Sequence, residues 1–397
     1  MVKTKFKHTD IGLIPEDWEV KTLGEVGEII MGQSPLSENY NQNGIGFPLV
    51  QGNADIEKRK TIIRNYTSQI TKKGKNGDII MSVRAPVGEI AIATFDCCLG
   101  RGVCAIRSEN DYIYNYLIYS ENRWRKFSTG STFDSVNSNQ INEFLMVIPK
   151  SNSEQQAIAE VLSDTDRWIE SLENLIVKKQ LIKQGAMQKL LTPKEDWEVK
   201  KLGEVGEIFT GGTPSTTNKN FWGGSIPWIT PTDISTNKNI YIGERNISEL
   251  GLKQIRPLPE NALLVTCIAS IGKNAILRKS GACNQQINAV VTSENYSVDY
   301  LYYLLELNKS VLQVKAGVTA TPILSKAEFS TIEFSFPSIK EQTQIATILS
   351  DMDAEIEILE QKLAKAQQIK QGLMQELLTG RKRLCGGFEN LSHPTDA

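Results

Sequence analysis

The chain has 397 residues, 40% of them hydrophobic and 23% charged, enough for two or three domains with real cores and ordinary for a globular protein. With 44 basic against 46 acidic residues, the formal net charge of -2 excludes a protein that coats nucleic acid through bulk charge. No apolar run reaches the length of about 18 residues that a membrane span requires. The start MVKTKFKHTD is basic but lacks an apolar stretch, so no signal peptide is expected and a cytoplasmic chain is.

The first local feature is EDWEVKTLGEVGEII, from Glu16 to Ile30. It recurs from Glu195 to Phe209 as EDWEVKKLGEVGEIF, with 13 of 15 positions identical. Trp18 and Trp197 each precede a Leu-Gly-Glu-Val-Gly-Glu run. This reads as a short helix or strand docking an aromatic anchor, bent at glycine. Repetition beside different downstream sequence marks a shared scaffold edge rather than a reactive site.

Two middles follow, Met31 to Pro149 and Thr210 to Pro337, rich in Gly, Pro, Asn, Ser and Thr. Short β-prone runs lie between their turn signals: Gly77 to Val83, Glu89 to Phe95 and Gly102 to Arg107 in the first, Ala262 to Ala269, Asn274 to Arg278 and Ile287 to Thr292 in the second. Each then has a helical passage, YIYNYLIYSENRWRKF or VDYLYYLLELNKSVLQV. These are α+β domains of one plan. GDIIMSVRAPVGEIAI faces ALLVTCIASIGKNAIL, CLGRGVCAI faces CNQQINAVV, and MGQSP faces TGGTPS. The repeated parts are scaffold and the divergent parts read as the recognition surface. Lys58, Arg59, Lys60, Arg64, Lys72, Lys73 and Lys75 form a run without a carboxylate, equally suited to a DNA-binding patch or a solvated loop.

Each middle ends at a helix start. Ser151 with Glu154, and Ser338 with Glu341, make S-x-x-E capping boxes. The helices are copies: Glu154 to Thr192 matches Glu341 to Thr379 without a gap at 23 of 39 positions, and such a repeat fixes the architecture. The apolar spacing alternates four and three, through Ile158, Leu162, Ile169, Leu172 and Ile176, then through Ile345, Leu349, Ile356, Leu359 and Leu363, which is a coiled-coil seam. Lys179 and Lys183 intrude on it, so pairing is expected to weaken there or meet a partner. Pro193 stops the first helix and Gly380 follows the second. Each rod is roughly 57 Å long at 1.5 Å per residue. Paired antiparallel, the two would fix the distance and rotation between two reading heads, a pseudo-two-fold plan. The expected divisions are a recognition domain at 1–150, a spacer helix at 151–192, a second recognition domain at 193–337, a second spacer helix at 338–380 and a loose tail at 381–397.

Catalytic signatures are missing. The two histidines, His8 and His393, lie near the ends, which disfavours a His-based triad or general base. SIGKNA lacks the leading glycine and the Ser/Thr of a phosphate-binding loop. No Asn-Pro-Pro-Tyr or Asp-Pro-Pro-Tyr loop of an amino-methyltransferase occurs. The six cysteines (Cys97, Cys98, Cys104, Cys267, Cys283, Cys385) form no CxxC pair, which suits reduced thiols better than disulfides or zinc, and no metal site is expected.

Over residues 10 to 380 the chain resembles the specificity subunit of type I restriction-modification enzymes. GGTPSTTNKNFWGGSIPWITPTDIS, IGKNAI and CNQQINAV look like that family's target recognition domain. GQSP, PLVQGNADI and RAPVGE look like another variant of it, and EQxxIAxxLSDxD and IKQGxMQxLLT look like its conserved regions. The resemblance implies two recognition domains separated by two long antiparallel helices, each domain reading one half of an asymmetric, split double-stranded DNA target. It implies no catalysis in this chain. It also implies docking of methyltransferase (modification) subunits, two of them, and of restriction (translocase-nuclease) subunits, which would supply the S-adenosylmethionine, ATP and Mg chemistry. The same architecture could serve a methylation-only complex. A coiled-coil scaffold that never touches DNA is the competing reading from another class, disfavoured by the divergence of the middles.

Major-groove reading favours Arg, Asn and Gln, and backbone contacts favour Lys, Ser and Thr. The candidates are Gln33, Ser34, Gln51, Asn53 and Arg84 in the first domain, with Lys72, Lys73 and Lys75 on phosphates. In the second they are Thr213, Ser215, Thr230, Lys273, Asn284, Gln285 and Gln286. Such polar clusters also brace loops, and for Gly-Thr-Pro-Ser and Asn-Gln-Gln the two readings stand level.

Overall fold

The computed structural model describes residues 5–128, 135–235, 237–317 and 322–384. Cys385, His393 and the rest of the tail beyond Leu384 lie outside them. The chain divides into two compact units. Unit 1 comprises Met1–Glu173 and Lys362–Ala397, and unit 2 comprises Asn174–Gln361. Each therefore holds the start of one long helix and the end of the other.

In unit 1 the Trp motif, expected to be a short helix or strand, forms one of each, the strand Trp18–Thr22 and a single helical turn at Leu23–Val26. The strand pairs antiparallel with Leu145–Pro149. Val103–Arg107 lies between Glu28–Met31 and Ile79–Ser82 in a six-stranded sheet. A five-stranded sheet packs beside it, with Cys97–Leu99 running parallel to Phe47–Val50. Unit 2 repeats the plan. Glu198–Lys201 pairs with Glu333–Phe336, Ile287–Thr292 lies between Gly206–Thr210 and Ala262–Thr266, and Ala282–Cys283 runs parallel to the end of Trp222–Ile229. Near-continuous apolar runs bury these central strands on both faces.

The long helices span Asn152–Leu190 and Ile339–Leu377. Ser151 and Ser338 accept from the amides of Glu154 and Glu341 at 3.4 and 3.3 Å, the capping bonds the sequence called for. The two carboxylates reach tertiary partners, Glu154 meeting Trp18 and Arg383, and Glu341 meeting Lys194. After the second helix the backbone turns left-handed at Gly380 (φ +68°), where a Cβ would also lie 2.3 Å from Pro15, so both the turn and the packing call for glycine.

The seam residues do more than pair helices. Ile158 and Leu162 enter the core of unit 1 together with Met374, Leu377 and Trp18. Ile345 and Leu349 enter that of unit 2 together with Met187, Leu191 and Trp197. Leu172, Ile176, Ile356 and Leu359 are also buried, while Ile169 and Leu363 are half-buried.

At the seam lysines, where weakened pairing or a partner is expected, carboxylates of the other helix meet them. Lys183 pairs with Asp353 of the other helix, and Lys179 with Glu355 at 2.5 Å. In unit 1 the repeat-related residues make the same antiparallel bridge, Lys370 to Asp166 at 2.5 Å. The tail is also less loose than expected as far as it is described. Arg383 forks onto Asp17 (2.6 and 2.8 Å) and Glu154 (2.6 and 2.8 Å).

Among the described residues no helix is long and apolar enough to cross a membrane. Nor does any group of three or more His, Cys, Asp or Glu side chains there suit a metal ion. Cys97, Cys98, Cys104, Cys267 and Cys283 are free and buried. Burial pushes the Cys97 and Cys104 thiols up to about 12, so neither is a thiolate nucleophile at neutral pH.

Candidate nucleic-acid interface

In unit 1 an open cleft forms where the ends of several strands meet. Ser34, Gln51, Asn53 and Arg84 line it together, joined by Tyr40 and Arg101. Gln33 is exposed beside it, and its carbonyl accepts from the Thr71 hydroxyl. That bond brings in the loop of Lys72, Lys73 and Lys75, all three exposed. Lys73 is partly used, 3.2 Å from Asp96 and over the Phe47 ring. Gln51 donates to the Tyr40 hydroxyl at 2.6 Å, which orients its carboxamide.

Three glycines build the loop that carries Arg101. A Cβ on Gly32 would lie 2.1 Å from the Gly100 carbonyl oxygen, and one on Gly102 would lie 2.2 Å from that of Gln51. Only glycine permits these approaches, so Arg101 is the one side chain beyond Cβ that the Gly100–Gly102 segment offers the cleft.

The cationic run of the sequence divides. Lys60 and Glu170 meet at 2.7 Å, Lys58 lies 3.9 Å from Glu173, and Arg59 pairs with Glu121. These three cations tie the sheet edge to helices and are not part of the cleft. Arg64 lines a neighbouring pocket that shares Gln51 and Asn53 with the cleft, and donates to the Ala54 carbonyl at 3.1 Å.

Unit 2 is matched to unit 1 by its backbone hydrogen bonds. The amide of Gly100 donates to the Val50 carbonyl at 2.8 Å, and that of Asn284 to Ile229 at 2.9 Å. Val83 donates to Gly102 at 2.9 Å and Cys267 to Gln286 at 2.8 Å. Gln33 donates to Leu99 and Gly212 to Cys283, both at 2.9 Å. Gly88 donates to Ser82 at 2.9 Å and Gly272 to Thr266 at 3.0 Å. This register sets Ser34 against Thr213, Arg101 against Gln285, Arg84 against Ile268 and Glu89 against Lys273. Lys273 thus sits at the turn occupied by Glu89, away from the Arg84 position.

Thr213 donates to Gln285 at 2.6 Å, both exposed. Asn284 is buried, and its carboxamide bonds to the Gln286 side chain and the Gln286 amide, each at 3.0 Å. Thr230 spends its hydroxyl and amide on Asp233 at 2.7 and 2.8 Å. Ser215 stands apart beside Trp222, whose indole donates to its carbonyl at 3.1 Å. Trp222 and Trp228 meet edge to face at 5.0 Å, with the Arg245 guanidinium 3.8 Å over Trp222, a cation–π stack in which Arg245 is exposed, Trp222 half-buried and Trp228 buried.

A family model described as "Type I restriction modification DNA specificity domain" matches residues 15–181 and again 194–368. The chain belongs to the type I restriction-modification DNA specificity family. Among its relatives are the type I restriction enzyme MjaIX specificity subunit of Methanocaldococcus jannaschii, 39% identical over 41% of this chain and 39% of the relative, and the EcoR124I/EcoR124II specificity subunit of Escherichia coli, 32% identical over 46% and 47%. Such matches span less than half of those relatives. The MjaVIII specificity subunit of M. jannaschii is 25% identical over 94% of both chains. The crystal structure of a type I restriction-modification S subunit from M. genitalium has the same fold, with a TM-score of 0.63 at 16% identity over 94% of this chain and 98% of that one.

For this specificity-family chain, sequence reasoning missed Arg101, Tyr40 and Arg245. Arg101 had a signal: CLGRGVCAI facing CNQQINAVV sets it opposite Gln286, one residue from the Gln285 that the backbone hydrogen bonds match to it. Flanking glycines gave that stretch the look of a bare turn. Tyr40 and Arg245 had none, since each acts through a partner distant in sequence.

Proposed function

We propose that this chain is the DNA sequence-specificity subunit of a type I restriction-modification complex, with each unit reading one half of a bipartite, asymmetric target. The observation that carries the reading is the register between the units. Backbone hydrogen bonds are kept pair by pair, while the matched side chains Arg101 and Gln285, Arg84 and Ile268, and Glu89 and Lys273 differ in charge and hydrogen-bonding character. Two readers of different half-sites need that combination, and a symmetric protein bridge would gain nothing from it.

In this reading Gln33, Ser34, Gln51, Asn53 and Arg84 face bases, with Lys72, Lys73 and Lys75 on phosphates. In unit 2, the exposed Thr213 and Gln285, bonded to each other at 2.6 Å, and the exposed Lys273 are the side chains that reach DNA. Asn284, Gln286 and Thr230 brace the loops that carry them, and Ser215 flanks the Trp222 stack. Catalysis lies with partners: modification subunits holding S-adenosylmethionine, and restriction subunits using ATP and Mg. The spacer helices, at 151–192 and 338–380, offer those partners their exposed faces.

The test is co-expression of the chain with its modification subunit, followed by mapping of methylated adenines. One split motif is expected. Methylation without any motif, or with an unsplit one, would sink the two-reader assignment.

A further inference from the structure

Several guanidiniums of unit 1 are tied to carboxylates. Arg59 holds Glu121, Arg107 holds Asp78 and Glu28, and Arg383 holds Glu154 and Asp17. Arg84 and Arg101 differ. Both are exposed, both line the one cleft, and among the described residues neither guanidinium has a hydrogen-bond or ion-pair partner. The residues lining that cleft include no carboxylate. Asp55, nearby, is buried and accepts from the Gln51 amide at 2.7 Å. Two forks with ten N–H donors between them thus face solvent from walls of neutral amides and hydroxyls.

A phosphate-binding patch needs only charge, and flexible lysines serve it. Here the arginines come from separate rigid frames: Arg84 from the end of Ile79–Ser82, and Arg101 from the glycine-clamped loop. Rigid, separately mounted forks suit the paired O6 and N7 acceptors of guanine in the major groove. In unit 2 the matching residues are Ile268, which has no donor, and Gln285, whose carboxamide suits the N6 and N7 edge of adenine.

We infer that Arg84 and Arg101 are specificity-determining residues that read guanine in the half-site bound by unit 1, and that unit 2 makes no such reading at the matching positions. This rests on the DNA-specificity reading above.

The experiment uses the full chain assembled with its modification subunits. Randomised duplexes are selected by binding, and the bound fraction is sequenced. The parent chain should enrich a split motif with guanine in one half. Arg101→Gln installs the residue unit 2 carries at that place. It should lower enrichment of one guanine in that half roughly 10- to 100-fold and leave the other half unchanged. Arg84→Lys keeps the charge but loses the fork, and should erase a second guanine preference while the salt dependence of binding stays. If either variant keeps the parent motif, or weakens all sequences alike, the residue is a phosphate contact and the inference is overturned while the two-reader assignment stands. A parent chain that enriches no motif overturns both. Should Arg101→Gln fail to fold, Gln285→Arg decides: a new guanine in the other half supports the inference, and an unchanged motif overturns it.

Discussion

The two units solve one packing problem in two ways. Each must fasten a tryptophan-led edge to the start of a long helix. In unit 1 the Trp18 indole donates to Glu154 at 3.3 Å, and Arg383, arriving from beyond the second helix, grips Glu154 and Asp17 together. In unit 2 the Trp197 N–H has no partner among the described residues, and Lys194 meets Glu341 at 2.6 Å on the surface. The same tryptophan and the same helix-start glutamate therefore sit in different electrostatic settings. Shape, set by backbone hydrogen bonds and apolar burial, is what the repeat preserves. Charge is rewired at this edge, although the repeat keeps the helix bridges of Lys183 with Asp353 and of Lys370 with Asp166.

The harshest challenge to that view is exchange of residues 210 to 336 for the corresponding middle of another family member. If shape is shared and recognition is local, one half of the methylated motif should be replaced outright and the other kept. Changes in both halves, or in neither, would mean that the units do not read independently.

Arg383→Ala is the next test. Glu154 keeps only 4% of its side chain exposed, and removing a guanidinium from a buried carboxylate costs about 3 kcal/mol. Lys194→Ala removes a cation that is 61% exposed and should cost about 0.5 kcal/mol or less. Native-state amide exchange separates the units: protection should fall around Trp18–Thr22 in the first variant and hardly change around Glu198–Lys201 in the second. Equal losses would show that the tail does not latch unit 1.

Asp353→Ala and Asp166→Ala compare repeat-related bridges. Asp353 also accepts from the Tyr303 hydroxyl at 2.5 Å, so its loss leaves two donors behind. About 2 kcal/mol is expected there and about 1 kcal/mol for Asp166, whose side chain is 39% exposed. Denaturant titration of the two variants checks the order, and a reversed order would remove Tyr303 from the account.

Much of the fold was legible because its signals are periodic and local. Strands at Ala262–Thr266 and Ile287–Thr292 followed from β-branched runs between turns, and the long helices from a serine cap and the four-three spacing. The cleft was partly legible: Ser34, Gln51, Asn53 and Arg84 do meet. The rest depended on contacts distant in sequence. Nothing local says that Lys58, Arg59 and Lys60 turn to helix carboxylates while Lys72 and Lys75 stay free, or that Lys183 finds Asp353 170 residues away. Ion pairs have no period, so a cationic run reads alike in either use.

The smallest effect expected is one of pH, and it too separates the units. Asp299, on the helix Val298–Leu307, is gripped by Lys238 at 3.0 Å and Arg278 at 2.5 Å. Burial alone would raise its carboxyl, but the two cations more than offset that and hold it below the usual carboxylate range. A carboxyl lowered by folding adds stability above its unfolded value, near pH 4, and loses it as pH falls through the folded one. Asp299→Asn should therefore flatten the acid limb of unit 2's stability curve, by about 1 kcal/mol or less given partial exposure. Unit 1 keeps its own acid limb, because Asp17 is lowered by its hydrogen bond with Arg383. Amide exchange followed from pH 7 to pH 3 should show unit 2 changed and unit 1 unchanged. An acid limb in unit 2 as steep as the parent's would show that Lys238 and Arg278 do not hold this carboxylate in solution.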